Sequence, residues 1–281
     1  MTKVLITGKN GFIGQRLARR IPCSHLESVR DGAWKKINFS QYDCVVHAAG
    51  MAHVGYKDEL QAQYMAVNRN LTLDISRAAK AAGVRQFIFL SSIIVYGPAA
   101  RGGENRVITA DTPPAPENAY GLSKLEAEQG LFALADDTFS ITVLRLPMVY
   151  GRGSRGSFAL LLKYAKYLPV FPALCGRRSA IYVENLAEYI AYAIERGLSG
   201  VLFPRDPAPV TTPAMLMAIR AATDRKTFIT HVFDPLIRIA GGLGPMRRIF
   251  GGLEYAPELS PEIENIPMCM LEEAVRREAA K

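Results

Sequence analysis

Cysteine is scarce: Cys23, Cys44, Cys175 and Cys269 are the only four in 281 residues, and no pair has Cys-x-x-Cys spacing. That excludes a disulfide framework and argues against a structural metal centre; free thiols in a reducing cytoplasm are the expectation. No apolar run is long enough to span a bilayer, so no transmembrane segment is expected. The chain opens on Val4-Leu5-Ile6-Thr7, which leaves no room for a signal peptide. No Lys/Arg run is interleaved with aromatics, so nucleic acid is not an expected partner. Internal repeats, coiled-coil heptads and low-complexity tracts are also missing.

What is present is the composition of an ordinary globular protein, 49% hydrophobic and 21% charged, long enough for one large domain or two modest ones. The net charge of +8 is uneven. Residues 1–199 carry 24 Lys/Arg against 16 Asp/Glu, whereas residues 200–281 carry 10 against 10. The surplus lies where an anionic ligand such as a nucleotide would be held.

Short β-branched runs alternate with helical patterns through the first two-thirds. Strands are expected at Val4–Thr7, weakly at His25–Arg30, and at Asp43–Gly50, Gln86–Ser92 and Ile141–Arg145. Helices are expected at Phe12–Arg20, about Asp58–Ala82 with Gly83 as its stop, and Tyr120 to about Ala135. Such alternation predicts a parallel sheet covered on both faces. Past Gly151 the elements shorten, with helices around Phe158–Tyr167 and Ala187–Gly197, and Val201-Leu202-Phe203 returns as a last strand.

Thr7-Gly8-Lys9-Asn10-Gly11-Phe12-Ile13-Gly14 follows the first strand and opens the first helix. Glycines at that spacing permit a tight turn, close backbone approach to a pyrophosphate, and close helix–strand packing. The helix N-terminus then offers unpaired amides and a favourable dipole to phosphate. Dinucleotide binding through Gly8, Asn10, Gly11, Phe12, Ile13 and Gly14 is the reading. Beyond the second strand, Asp31 would accept the ribose hydroxyls of NAD, whereas Arg30 with Lys9 would pair with the 2′-phosphate of NADP; the choice stays open.

Tyr120 and Lys124 stand four apart in Ala-Tyr-Gly-Leu-Ser-Lys, and Ser92 closes an apolar run 28 positions upstream. Residues four apart on a helix share a face. A neighbouring cation favours an ionised phenol, which can take a proton from an alcohol or return one to a ketone.

Gly8-x-x-Gly11-x-x-Gly14, Ala48-Ala49-Gly50, Asn68, Ser91-Ser92, Val95-Tyr96-Gly97 and Tyr120-x-x-x-Lys124 occur in the order of the extended short-chain dehydrogenase/reductases. Over residues 3–205 the chain resembles the NAD-dependent epimerase/dehydratase family, which acts on nucleotide sugars. The resemblance implies a Rossmann-type, doubly wound α/β fold. Residues 1–151 would form the dinucleotide-binding domain, its last strand coming from 200–205. Residues 152–281 would be mainly a smaller C-terminal α/β substrate lobe. Tyr120 is then the catalytic acid/base, Lys124 binds the nicotinamide ribose, and Ser92 hydrogen-bonds the reacting oxygen. Ala48, Ala49, Gly50 and Asn68 line the cofactor site, and Arg178 grips the substrate diphosphate. A UDP-linked sugar substrate and a homodimer are implied on the same basis.

Ile93 and Ile94 stand where the dehydratases of this family carry Asp-Glu, so a 4,6-dehydratase is disfavoured. Asn38-Phe39 replaces an Asp near adenine, and Met148 replaces an Asn found in many epimerases. A UDP-sugar 4-epimerase is the leading expectation, with an NADPH-dependent UDP-4-keto-sugar reductase as alternative. A dinucleotide sensor without chemistry is a remote third, because it would need none of Ser92, Tyr120 and Lys124. His53 reads either as a histidine that approaches substrate or as a loop histidine, Met268-Cys269-Met270 as a packed strand, and Arg247-Arg248 as charged surface. Pro235-Leu236-Ile237 with Ile239 reads as core, or as a stretch that meets a membrane or partner.

Overall fold

The computed structural model describes residues 2–52, 60–154, 157–165, 167 and 169–279. The chain runs β1 (Val4–Thr7), α1 (Phe12–Arg20), β2 (Ser24–Glu27), β3 (Cys44–His47), α2 (Gln61–Tyr64), α3 (Leu71–Ala81) and β4 (Gln86–Ser92). It continues through β5 (Val107–Ile108), α4 (Ala119–Phe132), β6 (Ser140–Leu146), β7 (Met148–Tyr150), α5 (Ser157–Ala165), β8 (Val170–Pro172) and β9 (Ala180–Tyr182). Then come α6 (Val183–Glu195), β10 (Gly200–Leu202), α7 (Thr212–Ala221), β11 (Phe228–Thr230), α8 (Asp234–Ala240), α9 (Gly244–Phe250), β12 (Glu254–Tyr255) and α10 (Leu271–Ala279).

These elements form two compact units. The first comprises Met1–Gly97, Pro114–Leu146 and Leu186–Pro204. Its six strands are all parallel, in the order β10-β6-β4-β3-β1-β2. Val4–Thr7 and Cys44–His47 are buried along their whole length, as expected of β-branched strands covered on both faces. Pairing aligns Leu5, Val45, Phe87 and Ile141 in one row, and Thr7, His47, Phe89 and Val143 two residues on. The first row joins Leu73, Ala79, Ala127 and Leu131 of α3 and α4 in the core. Strand order reverses about β1, and the crevice outside the carboxyl ends of such a switch is where doubly wound sheets bind ligands. The expected doubly wound class and the returning last strand are both observed.

Several boundaries differ from expectation. The strand placed at His25–Arg30 ends at Glu27, and Arg30–Lys36 winds into 3-10 turns around a left-handed Asp31 (φ 52°) and Gly32. No third strand intervenes before β3, so β2 is the sheet edge. The helix expected over Asp58–Ala82 is observed, continuous from Gln61 to Ala81, but α2 and α3 meet through a π-helical turn at Met65–Asn70, and the first two residues of the expected span lie outside the described ones. Gly83, with φ 83°, ends it as expected.

The second unit comprises Pro98–Pro113, Pro147–Asn185 and Arg205–Lys281. Its strands pair two by two, β7 with β9, β8 with β11 and β5 with β12. The last pairing draws residues 98–113 out of the first unit, across the single boundary at 151 expected from sequence. Met268-Cys269-Met270 is irregular where a strand was expected; the Asn185 side chain holds both the N–H and the C=O of Cys269. Among the described residues no helix is long and apolar enough to cross a membrane, and no His/Cys/Asp/Glu group could hold a metal.

Candidate active site

The glycine loop joins β1 to α1. Gly8 adopts φ +94°, and a Cβ there would stand 3.0 Å from the backbone of Ala48 and Ala49. A Cβ on Gly14 would lie 2.7 Å from the Gly8 carbonyl, and one on Gly11 3.1 Å from it. The three glycines therefore permit a left-handed turn and close helix–strand contact, as a dinucleotide cradle requires. The amides of Gly8 and Lys9 donate to the Glu27 carbonyl, and that of Gly11 to the Gly8 carbonyl. Gly11 caps α1 without a side-chain acceptor, and no acidic side chain lies in the first turn. Phe12 and Ile13 thus open a helix whose first amides face outward for an anion.

Strand pairing fixes which residue stands at the end of β2. The carboxyl end of β2 is Glu27, paired in register with Thr7, and not the Arg30-Asp31 pair expected from sequence. Arg30 and Asp31 lie exposed in the following turn. Sequence reasoning missed Glu27 because only strand pairing fixes where β2 stops.

The remaining predicted residues converge on α4. Asn118 caps that helix, its Oδ1 accepting from the Gly121 amide at 2.8 Å. Tyr120 is half-buried in the first turn, its ring 5.7 Å from that of Tyr64. A Cβ on Gly121 would stand 3.0 Å from the Ile94 carbonyl, so glycine lets α4 approach the turn that follows Ser92. The Ser92 hydroxyl accepts from the Ile94 amide at 3.3 Å, fixing that turn. Lys124 is buried and its Nζ donates to the Leu90 carbonyl at 2.8 Å, over the Phe89 ring at 4.5 Å. Burial pushes its pKa down from 10.5 to about 7, against the opposing pull of Glu128.

Asn68 sits in the π-helical turn and clamps the segment after β3. Its Oδ1 accepts from Met51 N at 2.7 Å, and its Nδ2 donates to Met51 O and to Ser123 Oγ. Ser123 in turn donates to the Tyr120 carbonyl at 2.8 Å. Gly50 is where these parts meet: a Cβ there would stand 3.2 Å from Asn68 Oδ1 and 3.4 Å from Lys124 Nζ. Loop, Ala48-Ala49-Gly50 turn, Asn68 and Lys124 therefore belong to one assembly within the first unit.

Behind it runs a hydrogen-bond chain that the sequence did not reveal. The Ala49 amide donates to Thr7 Oγ1, which lies 2.9 Å from His47 Nδ1; His47 Nε2 lies 3.1 Å from Thr72 Oγ1, which donates to the Asn68 carbonyl. Because Thr72 has spent its one proton on Asn68, it accepts from His47, which fixes the neutral Nε2–H tautomer. Thr7 then donates to Nδ1. Burial, aided by the Lys124 charge, lowers the His47 pKa to about 3, so the ring is neutral at pH 7. On the other side of Lys124, Glu128 is buried and held by Ser91 and by a two-pronged pair with Arg145, which also donates to Tyr96 Oη.

Arg178 belongs to the second unit. Its Nη atoms donate to the carbonyls of Arg248, Ile249 and Gly251, and its buried Nε has no partner among the described residues. His53 lies outside the described residues.

A family model described as the NAD dependent epimerase/dehydratase family matches residues 26–203. The UDP-glucose 4-epimerase of Vibrio cholerae is 29% identical over 256 residues, covering 80% of this chain and 77% of that protein. The N-acetyl-alpha-D-glucosaminyl-diphospho-ditrans,octacis-undecaprenol 4-epimerase of Escherichia coli O157:H7 is 25% identical over 281 residues, covering 90% and 82%. The solved UDP-glucuronic acid 4-epimerase of Bacillus cereus with NAD superposes at a TM-score of 0.74 and 18% identity, covering 99% and 97% of the two chains. That likeness supports the fold, and the family match bears out the resemblance read from the motifs.

Proposed function

The chain belongs to the NAD-dependent epimerase/dehydratase family, and we propose that it is a 4-epimerase of a UDP-linked sugar working in the cytoplasm with NAD. The observation that carries this reading is the convergence of Asn68, Lys124 and the Tyr120 turn on Gly50, in the same unit as the glycine cradle. The cradle fits a dinucleotide because side chains at Gly8 and Gly14 would collide with backbone there. Gly8, Asn10, Gly11, Phe12, Ile13 and Gly14 would hold the pyrophosphate, and Ala48, Ala49, Gly50, Asn68, Tyr120 and Lys124 the remainder. Glu27, at the end of β2, is the group we assign to the adenosine ribose. A carboxylate there accepts from two hydroxyls and repels a 2′-phosphate, which favours NAD over NADP.

A nicotinamide dinucleotide, when bound, supplies a hydride acceptor and donor at one carbon. The protein supplies the proton chemistry. Tyr120 takes the proton from the C4 hydroxyl as the ketone forms and returns it after the sugar has turned. Lys124 presents positive charge to that phenolate, and Ser92 donates to the reacting oxygen. Arg178 would bind the diphosphate of the sugar nucleotide, and the active form would be a homodimer.

Purified protein is to be examined for bound dinucleotide, then assayed on UDP-hexoses, UDP-N-acetylhexosamines, a 4-keto-6-deoxy UDP-sugar and a polyprenyl-diphosphate sugar. The last is included because one relative acts on such a compound. Interconversion of C4 epimers of a UDP-sugar without net cofactor use is expected. Net NADPH consumption with the ketosugar alone, a reaction suited to Arg30 near the ribose, would make the protein a reductase instead. Tyr120→Phe should lower turnover at least about a thousandfold, in keeping with general acid–base contributions; an active variant would refute the mechanism.

A further inference from the structure

In the second unit, the segment from β11 to α9 turns apolar side chains outward. Val232, Leu236, Ile239 and Leu243 are 79, 62, 80 and 63% exposed. Leu236 and Ile239, three apart, share one side of α8, and Val232 and Leu243 are exposed in the turns just before and after it. The other side of the same helix is anchored: Ile237 is buried, its Cγ2 3.0 Å from the position a Cβ on Gly102 would take. The outward stripe is therefore not the core-facing side of a helix awaiting a better fit. Phe228 and Ile229 of β11, earlier in the same segment, are exposed as well.

Charge around this stripe is one-sided. Arg225, Lys226, Arg238 and Arg248 are exposed. Between Asp224 and Arg248 the chain holds five Lys/Arg and two Asp, a surplus of 5 − 2 = 3. Asp234 is already engaged, by His231 Nδ1 at 2.7 Å and the Leu174 amide at 3.0 Å. Apolar side chains flanked by cations are the pattern of a surface that lies on an anionic bilayer, with the stripe at the acyl boundary and the cations among the headgroups. A symmetric contact between two copies would instead bring these cations against their own equivalents, which like-charge repulsion opposes.

We propose that this basic–apolar face of α8 and its flanking turns docks the protein reversibly on the surface of a membrane containing anionic lipids. Four apolar side chains on a short helix make a weak anchor, so the interaction is salt-sensitive. Co-sedimentation of the full chain with phosphatidylcholine vesicles containing about one-third phosphatidylglycerol tests it, against vesicles of phosphatidylcholine alone. Binding at least about tenfold stronger to the anionic vesicles is expected, lost in high salt. The double variant Leu236→Ser with Ile239→Ser should bind at least about tenfold more weakly, and Arg238→Gln about fivefold more weakly. Circular dichroism and light scattering on each variant monitor fold and oligomeric state, so the outcome is independent of any turnover. Wild-type protein that ignores anionic vesicles, or variants that bind them equally well, would overturn the proposal. So would a double variant that dissociates to monomers while vesicle binding is absent, since the face would then join two copies of the chain.

Discussion

Replacing Lys124 with methionine should make the nucleotide-free protein more stable in mild acid and less stable in alkali. The Lys124 pKa falls from 10.5 to about 7 on burial, and 10.5 − 7 = 3.5 units correspond to about 5 kcal/mol against the charged form in the folded state. The sign follows from proton counts. Below pH 7 the amine is charged in both states, and the folded state bears the whole cost. Between pH 7 and 10.5 the unfolded chain holds the extra proton, so raising pH stabilises the fold until the cost vanishes. Methionine removes that cost but leaves the Leu90 carbonyl without its 2.8 Å donor, a loss of about 1–3 kcal/mol. The variant should therefore exceed wild type by roughly 2–4 kcal/mol near pH 6 and fall below it near pH 10.5. Urea unfolding at several pH values, read as midpoint shifts at constant slope, gives the two curves. Curves that stay parallel across this range would show that Lys124 is not charged in a dry site, and the argument for its role beside Tyr120 would fall with them.

Three further changes test other parts of the assembly. Gly14→Ala puts a methyl 2.7 Å from the Gly8 carbonyl and should cost about 1–3 kcal/mol of stability and at least about tenfold in dinucleotide affinity by calorimetry; unchanged affinity would separate the loop from the cofactor. Glu27→Ala should shift the NADP-to-NAD affinity ratio upward by about tenfold, and a constant ratio would return the ribose contact to Asp31. For His47, nitrogen NMR should show a neutral Nε2–H ring that stays neutral as pH falls through 6.5, the ordinary imidazole value, toward about 3. Since the unfolded chain takes up that proton first, stability should fall over the same window, and titration near 6.5 in the folded protein would contradict the buried chain.

The glycine loop and the Tyr120–Lys124 pair were legible because their chemistry is local: a turn needs glycine where φ is positive, and a helix brings residues four apart together. Ser92 was legible for a similar reason, at the end of a strand whose apolar run is continuous. Glu27 was not, because the amides of Gly8 and Lys9 hold its carbonyl, and strand pairing decides that β2 stops there. The π-helical turn around Asn68 was equally hidden. Nothing in Met65-Ala66-Val67-Asn68-Arg69-Asn70 disfavours an α-helix; the π-helical turn is seen only with Asn68 clamping Met51 and Ser123. The chain through His47 joins positions 7, 47, 49, 68 and 72. Each of those residues alone reads as an ordinary small polar or strand-end residue, and only the register of β1 against β3 lines them up.

The same contacts narrow where a proton can move. His47 is neutral with both ring nitrogens occupied, and Glu128 is committed to Ser91 and Arg145. Ile93 and Ile94, on the turn after Ser92, have no titratable group. Among the described residues around β4 and the start of α4, the groups left for the proposed proton exchange are Tyr120 and Ser92, with Lys124, its pKa near 7, one helical turn on from Tyr120. Elimination of water would need a second acid–base pair acting one carbon away, and the described residues around β4 and the start of α4 supply one such set. Hydride and proton transfer at a single carbinol is the chemistry these residues can complete. On the proposed mechanism, the stability cost of a buried lysine is offset by function at this position: its charge helps a phenol in a half-buried turn hold the phenolate that epimerisation would require.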